Sequence, residues 1–132
     1  MLKLTKKFEY GLLAIQYIAA MKPGEVATAR QISEEIGIPY EFVAKVLQQL
    51  AKESLIDSVQ GVRGGYKLNR PAANISLSQV AAAIEGPIQL IECEGNETPC
   101  DMLGTCTIKK PLTKIQKRFR EIFDEATLEE IL

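Results

Sequence analysis

Cys93, Cys100 and Cys106 are the only cysteines in the chain, and they fall in one short stretch at C-x6-C-x5-C spacing. Thiolates grouped in this way can hold an iron–sulfur cluster, hold zinc, or oxidise in pairs. The irons of a cluster need four protein ligands in all, so three sulfurs leave one place to be filled. Histidine is absent from the chain. Carboxylates therefore lead the candidates for the fourth place: Glu9 far upstream, or Asp101, Glu94, Glu97 and Glu92 beside the cysteines. A carboxylate binds cluster iron weakly and leaves it open to exchange or attack, which suits a sensor. Structural zinc sites usually pair ligands about two to four residues apart, and gaps of six and five are loose for that. A reversible disulfide would use two thiols and leave one over. Three unrelated thiols are the plain alternative.

The odd cysteine count argues against a closed disulfide framework, and a cytoplasmic setting would keep the thiols reduced. No apolar run approaches the roughly 18–20 residues that span a bilayer, and the first nine residues lack a signal peptide's apolar core. A soluble cytoplasmic protein with no membrane partner is expected. Without histidine there is no Cys/His finger and no histidine acid–base catalyst. With no nucleophile–base pair and no phosphate-binding loop either, the chain does not read as an enzyme.

The 132 residues suit one compact domain, perhaps with an appended element. The net charge of −1 hides an asymmetry. Residues 1–70 carry 10 Lys/Arg against 7 Asp/Glu; residues 71–132 carry 6 against 10. A mildly basic front half is compatible with phosphate binding. The acidic cysteine stretch would repel DNA and belongs away from it.

The elements that would position these groups follow from periodicity. Leu4, Phe8, Leu12, Ile15 and Ala19 make one apolar stripe, predicting a helix from about Thr5 to Met21 with Thr5 as N-cap. Lys22-Pro23-Gly24 stops it. Thr28 caps a second helix, Ala29 to Ile36, which Gly37 ends. A third helix, about Tyr40 to Glu53, buries Phe42, Val43, Val46, Leu47 and Leu50 and leaves Tyr40, Glu41, Ala44, Lys45, Gln48, Gln49 and Lys52 on its other side. Two short helices joined by a tight Gly turn, the second rich in Gln and Lys, fit a helix-turn-helix; two amphipathic helices of an all-α domain would look similar.

The next residues favour the first reading. Leu55 to Val59 and Tyr66 to Leu68 are strand-like and flank the glycine-rich loop Gln60 to Gly65. That is a β-hairpin directly after the recognition helix, a wing. Arg63 at its tip can enter a narrow minor groove. On this reading Tyr40, Glu41, Lys45, Gln48 and Gln49 face the major groove, Gln being able to read adenine bidentately. Lys45, Lys52 and Lys67 bind phosphates. The fold class is mainly α with a small hairpin: a winged helix-turn-helix with a long C-terminal helix.

Beyond Arg70-Pro71, Ser76 caps a helix from about Leu77 to Glu85, with Val80, Ala81 and Ile84 inward; Gly86-Pro87 breaks it. Residues 87–107 read as an aperiodic loop. Ile108, Leu112, Ile115, Phe119 and Ile122 then repeat at spacings of 4, 3, 4 and 3 along a final long helix. This heptad-like seam, flanked by Lys and Arg, could pack on its own domain or pair with a second copy; a palindrome reader needs two copies, which favours pairing. Thr127 caps a short terminal helix. The expected organisation is a DNA-binding head over 1–72, a linker helix and cysteine loop over 73–107, and a dimerisation helix with its tail over 108–132.

Taken together, Leu4-Thr5-Lys6, the region from Ile38 to Leu55, the wing Val59-Gln60-Gly61-Val62-Arg63-Gly64-Gly65-Tyr66-Lys67-Leu68 and the cysteine triplet resemble the Rrf-type winged-helix repressors. This bacterial family includes regulators of iron–sulfur assembly and nitric-oxide sensors; the alternative it implies is a cluster-free regulator acting by thiol redox or, as in some relatives, through a protein partner. The resemblance covers nearly the whole chain. It implies a homodimer on a palindromic promoter operator, with the long helix crossing to the partner and a 2Fe–2S or 4Fe–4S cluster controlling affinity. Cys93, Cys100 and Cys106 match the family's ligand positions, and Glu9 matches an acidic residue that reaches the cluster from the other subunit in some members. The chain departs from the pattern in three places. Thr107, Ile108 and Lys109 stand where assembly regulators place a histidine ligand, the first cysteine gap is one residue longer than the commonest, and Gln60 replaces a wing arginine.

Overall fold

The computed structural model describes residues 3–90 and 106–132. Cys93, Cys100, Glu92, Glu94, Glu97 and Asp101 lie outside the described residues. The first helix, α1 (Lys6–Ala19), starts where the Thr5 side chain accepts the Phe8 N–H. In α2 (Ala29–Ile36), Thr28 and Gln31 satisfy each other's backbone N–H in a capping box, and Gly37 closes the helix with φ 73°. Third comes α3 (Tyr40–Lys52), preceded by Pro39. The hairpin strands β1 (Ile56–Val59) and β2 (Gly65–Leu68) pair antiparallel with Ile56 opposite Leu68. A 3₁₀ turn over Ala72–Asn74 leads to α4 (Leu77–Ile84), whose start is a second capping box, Ser76 with Gln79. The long helix α5 (Lys109–Glu125) and a 3₁₀ turn over Leu128–Ile131 end the chain.

The core is where α1, α2, α3 and α4 meet, with α5 on α4. Two readings of buried faces are corrected here. The inward face of α1 is Phe8, Gly11, Ala14, Ile15 and Ile18; Leu4 is exposed, and Leu12 and Ala19 only half-buried. Small residues bring the helices close: a Cβ on Gly11 would run into the Ile84 side chain of α4. On α3, Val43, Val46, Leu47 and Leu50 are buried, but Phe42 is 45% exposed. At about 100° per residue it lies one step outside the arc of those four, and its ring meets Tyr10 edge-on at 5.6 Å.

The C-terminal segment returns to the head. Leu128 is fully buried, its N–H donating to the Ile75 carbonyl at 2.8 Å, while the Gln16 side-chain amide donates to the Ile131 carbonyl. The short terminal helix expected behind Thr127 is a 3₁₀ turn, Leu128–Ile131, with Thr127 at its cap. No helix among the described residues is long and apolar enough to cross a membrane.

Candidate DNA interface and cysteine segment

The turn between α2 and α3 is fixed by local chemistry. The Ser33 hydroxyl of α2 donates to the Ile38 carbonyl at 2.6 Å, closing the turn across Gly37. Val43, Val46, Leu47 and Leu50 face inward, so the opposite arc of α3 faces solvent. Tyr40, Glu41, Lys45, Gln48 and Lys52 are exposed there. Gln49 sits at the edge of the arc, half-buried, with its Oε1 out of reach of solvent. Tyr40 is not a free side chain, since the guanidinium of Arg30, in the first turn of α2, lies 4.9 Å from its ring centroid.

The wing is held to the head by backbone. Ala27, just before α2, exchanges both main-chain hydrogen bonds with Tyr66 of β2, at 2.7 and 3.0 Å. The contact requires a residue without a side chain: a Cβ on Gly65 would lie 2.7 Å from the Ala27 carbonyl oxygen. At the wing tip Val62 and Arg63 project freely. Lys67 is exposed on β2. Arg70 is engaged elsewhere, its guanidinium donating to the Ser54 carbonyl at 3.1 Å and tying the end of α3 to the end of the wing. The structure thus brings α3, the start of α2 and the wing together as a single head.

The cysteine segment is described at its edges. Its entry is fastened to α5: Arg120 Nε donates to the Ile88 carbonyl at 2.8 Å, and the fully buried Gln116 accepts the Leu90 N–H through Oε1. Its exit is Cys106, a half-buried free thiol three residues before α5. Glu9 projects from the first turn of α1, 43% exposed, with Lys6 Nζ at 3.2 Å. Among the described residues no three Cys, Asp or Glu side chains gather as a metal site. The seam of α5 is open on its outer side, with Ile108, Ile115, Phe119 and Ile122 between 40% and 60% exposed and Leu112 half-buried.

A family model described as Rrf2, iron-dependent transcriptional regulator, matches residues 4–132. The chain belongs to the Rrf2 family. The expected resemblance, the winged-helix fold and the absence of an enzymatic role all hold: Rrf2 proteins are DNA-binding transcriptional regulators. Solved Rrf2 structures superpose along almost the whole length. CymR of B. subtilis, the global cysteine regulator of that organism, gives a TM-score of 0.78 at 23% identity, covering 99% of this chain and 96% of its own. IscR of T. potens gives 0.76 at 24%, covering 98% and 85%. CymR of Staphylococcus aureus gives 0.73 at 27%, covering 96% and 95%.

Two Rrf2 head residues escaped the sequence reading. Arg30 went unremarked on a short helix; its place two residues after the Thr28 cap was the available signal. Val62 was passed over as an apolar loop residue beside the more obvious Arg63.

Proposed function

We propose that this Rrf2 protein is a cytoplasmic homodimer that reads a palindromic operator and adjusts its hold on DNA through an iron–sulfur cluster on Cys93, Cys100 and Cys106. The observation that carries the reading is the attachment of the cysteine segment to α5. The chain entering it is bonded to Gln116 and Arg120, and the chain leaving it runs from Cys106 straight into the same helix. A change in the span of the segment therefore pulls on α5 from both sides. The open apolar seam along α5, about 21 Å from Ile108 to Ile122 at 1.5 Å per residue, supports pairing with the same seam of a second copy. Two heads joined through that helix would then move relative to each other, and half-sites about 34 Å apart tolerate little such movement.

The donor chemistry fits the cluster. Thiolates are its usual ligands, Cys106 is unbonded and partly accessible, and Glu9 is held only by an exposed ion pair worth about 0–1 kcal/mol. Cys93, Cys100 and Cys106 would supply three ligands and Glu9 of the partner subunit the fourth. When bound, such a cluster supplies reversible one-electron chemistry and iron open to oxidants or nitric oxide. On DNA, Glu41, Lys45 and Gln48 face the major groove, with Tyr40 and Gln49 at the margins of that face. Lys45, Lys52 and Lys67 reach phosphates, and Arg63 reaches the minor groove. The head comprises residues 1–72, the sensing segment 73–107 and the pairing helix with its tail 108–132.

A second reading has its own support. At 26% identity and a TM-score of 0.74, an oxidized form of Staphylococcus aureus CymR also superposes on this chain. Thiol oxidation within the triplet would pull on α5 through the same attachments. Air-free purification separates the two readings. Brown protein with visible absorbance and stoichiometric iron and sulfide supports the cluster; colourless protein whose DNA affinity changes with a thiol oxidant supports the thiol switch.

A further inference from the structure

Arg30 is the best-placed unused cation of the head. It occupies the second position of α2, with its guanidinium carbon over the Tyr40 ring, 4.9 Å from the centroid. Tyr40 is the first residue of α3. Ala27, two residues before the helix, is paired with the wing through Tyr66. Arg30 therefore stands at the junction of α2 and α3, three residues beyond the Ala27 bridge to the wing. Among the described residues no carboxylate lies within salt-bridge distance of it, and none of its side-chain N–H groups donates to a protein acceptor. The contrast is Arg70, whose donors are used on Asn69 and Ser54. An arginine stacked on an aromatic face has its plane fixed while its N–H edge stays open, so it loses little freedom on binding a planar oxyanion.

We infer that Arg30 binds a phosphate of the DNA backbone, and that Tyr40 is its platform rather than a reader of base edges. The inference rests on the proposed docking of α3 in the major groove. There the N-terminal end of the first helix of the motif crosses the backbone, and a contact of this kind sets the register of the head without carrying sequence information.

A phosphate contact can be measured without knowing the operator. The probe is a short mixed-sequence duplex, titrated by fluorescence anisotropy from about 50 to 200 mM salt, with wild-type protein, Arg30→Gln, Arg30→Lys, Tyr40→Leu and the Arg30→Gln/Tyr40→Leu double variant. Losing one phosphate contact lowers the slope of log K against log[salt] by about 0.9 per head, a loss of about eightfold per head at 0.1 M salt. Arg30→Gln is expected to show that change and Arg30→Lys to keep the wild-type slope. Tyr40→Leu should weaken binding, and the double variant should bind no more weakly than Arg30→Gln alone. Both side chains are exposed, so thermal melts are expected to coincide. A wild-type slope in Arg30→Gln would overturn the assignment while leaving the DNA-reading role of α3 standing. Additive losses in the double variant would overturn the platform role. Wild-type protein that ignores the duplex altogether would overturn the docking itself, and the inference with it.

Discussion

Replacing Gly65 with alanine tests how the wing is attached. The new Cβ would start 2.7 Å from the Ala27 carbonyl oxygen and 2.8 Å from its carbonyl carbon, where ordinary contact begins at 3.4 Å. Those neighbours are backbone and cannot swing aside, so β2 must retreat from Ala27 by about 0.7 Å, a distance at which its hydrogen bonds lose their geometry. The bridge has two of them, Tyr66 N–H to Ala27 O at 2.7 Å and Ala27 N–H to Tyr66 O at 3.0 Å. At about 0.5–1.5 kcal/mol net for each, their loss costs about 1–3 kcal/mol. For a chain of this size that lowers Tm by about 3–12 °C. The comparison variant is Gly61→Ala: Gly61 has φ 111° and its Cβ would meet nothing within 4 Å, so only local backbone strain of about 1 kcal/mol is at stake. Thermal and urea melts of the two variants, with affinity for duplex DNA, give the result. Gly65→Ala should be the less stable and should lose wing-dependent affinity. Equal stability of Gly65→Ala and wild type would refute the argument that this bridge holds the wing.

Gln48→Ala should lower discrimination at one base pair of each half-site by about 1–3 kcal/mol, leaving non-specific affinity unchanged; Gln49→Ala, with its Oε1 buried, should alter specificity less, as read by binding to a randomised duplex pool. Phe119→Asp places a charge in the open seam of α5 and is expected to give a monomer in sedimentation equilibrium, whereas an intact dimer would place the pairing surface elsewhere. The Tyr17 phenol donates to Glu35 at 2.6 Å, and that bond, together with desolvation and the Glu35 and Glu25 charges, holds its pKa above the usual 10.0. The stabilisation is thus complete below pH 10 and lost as pH rises through the raised value; Tyr17→Phe should remove this alkaline loss from a pH series of urea melts.

Much of the head was legible because its signals are local. Thr5, Thr28 and Ser76 each sit just before an apolar period and each proved to cap a helix, and Gly37 ended α2 where a left-handed residue was needed. The hairpin followed from glycines between two β-branched or aromatic runs. What escaped reading depends on distant contacts. Gly11 carries no hydropathic signal, yet it belongs to the inner face of α1 because Ile84 packs there. Phe42 looked like a core residue by type and stands outside the core by angle. Gln116 lay unnoticed among the charges of α5, and only the fold reveals that it receives the Leu90 N–H. Ala27 gave no hint that it would pair with Tyr66, a partner 39 positions away. The cysteine triplet was legible by residue type and spacing alone.

Operator affinity compared between air-free wild-type protein and a variant with serine at positions 93, 100 and 106, at one salt concentration, addresses the sensing claim most directly. The account predicts brown, iron- and sulfide-containing wild-type protein whose affinity differs tenfold or more from that of the colourless variant, about 1.4 kcal/mol of coupling. Equal affinities from two colourless, iron-free preparations would contradict it.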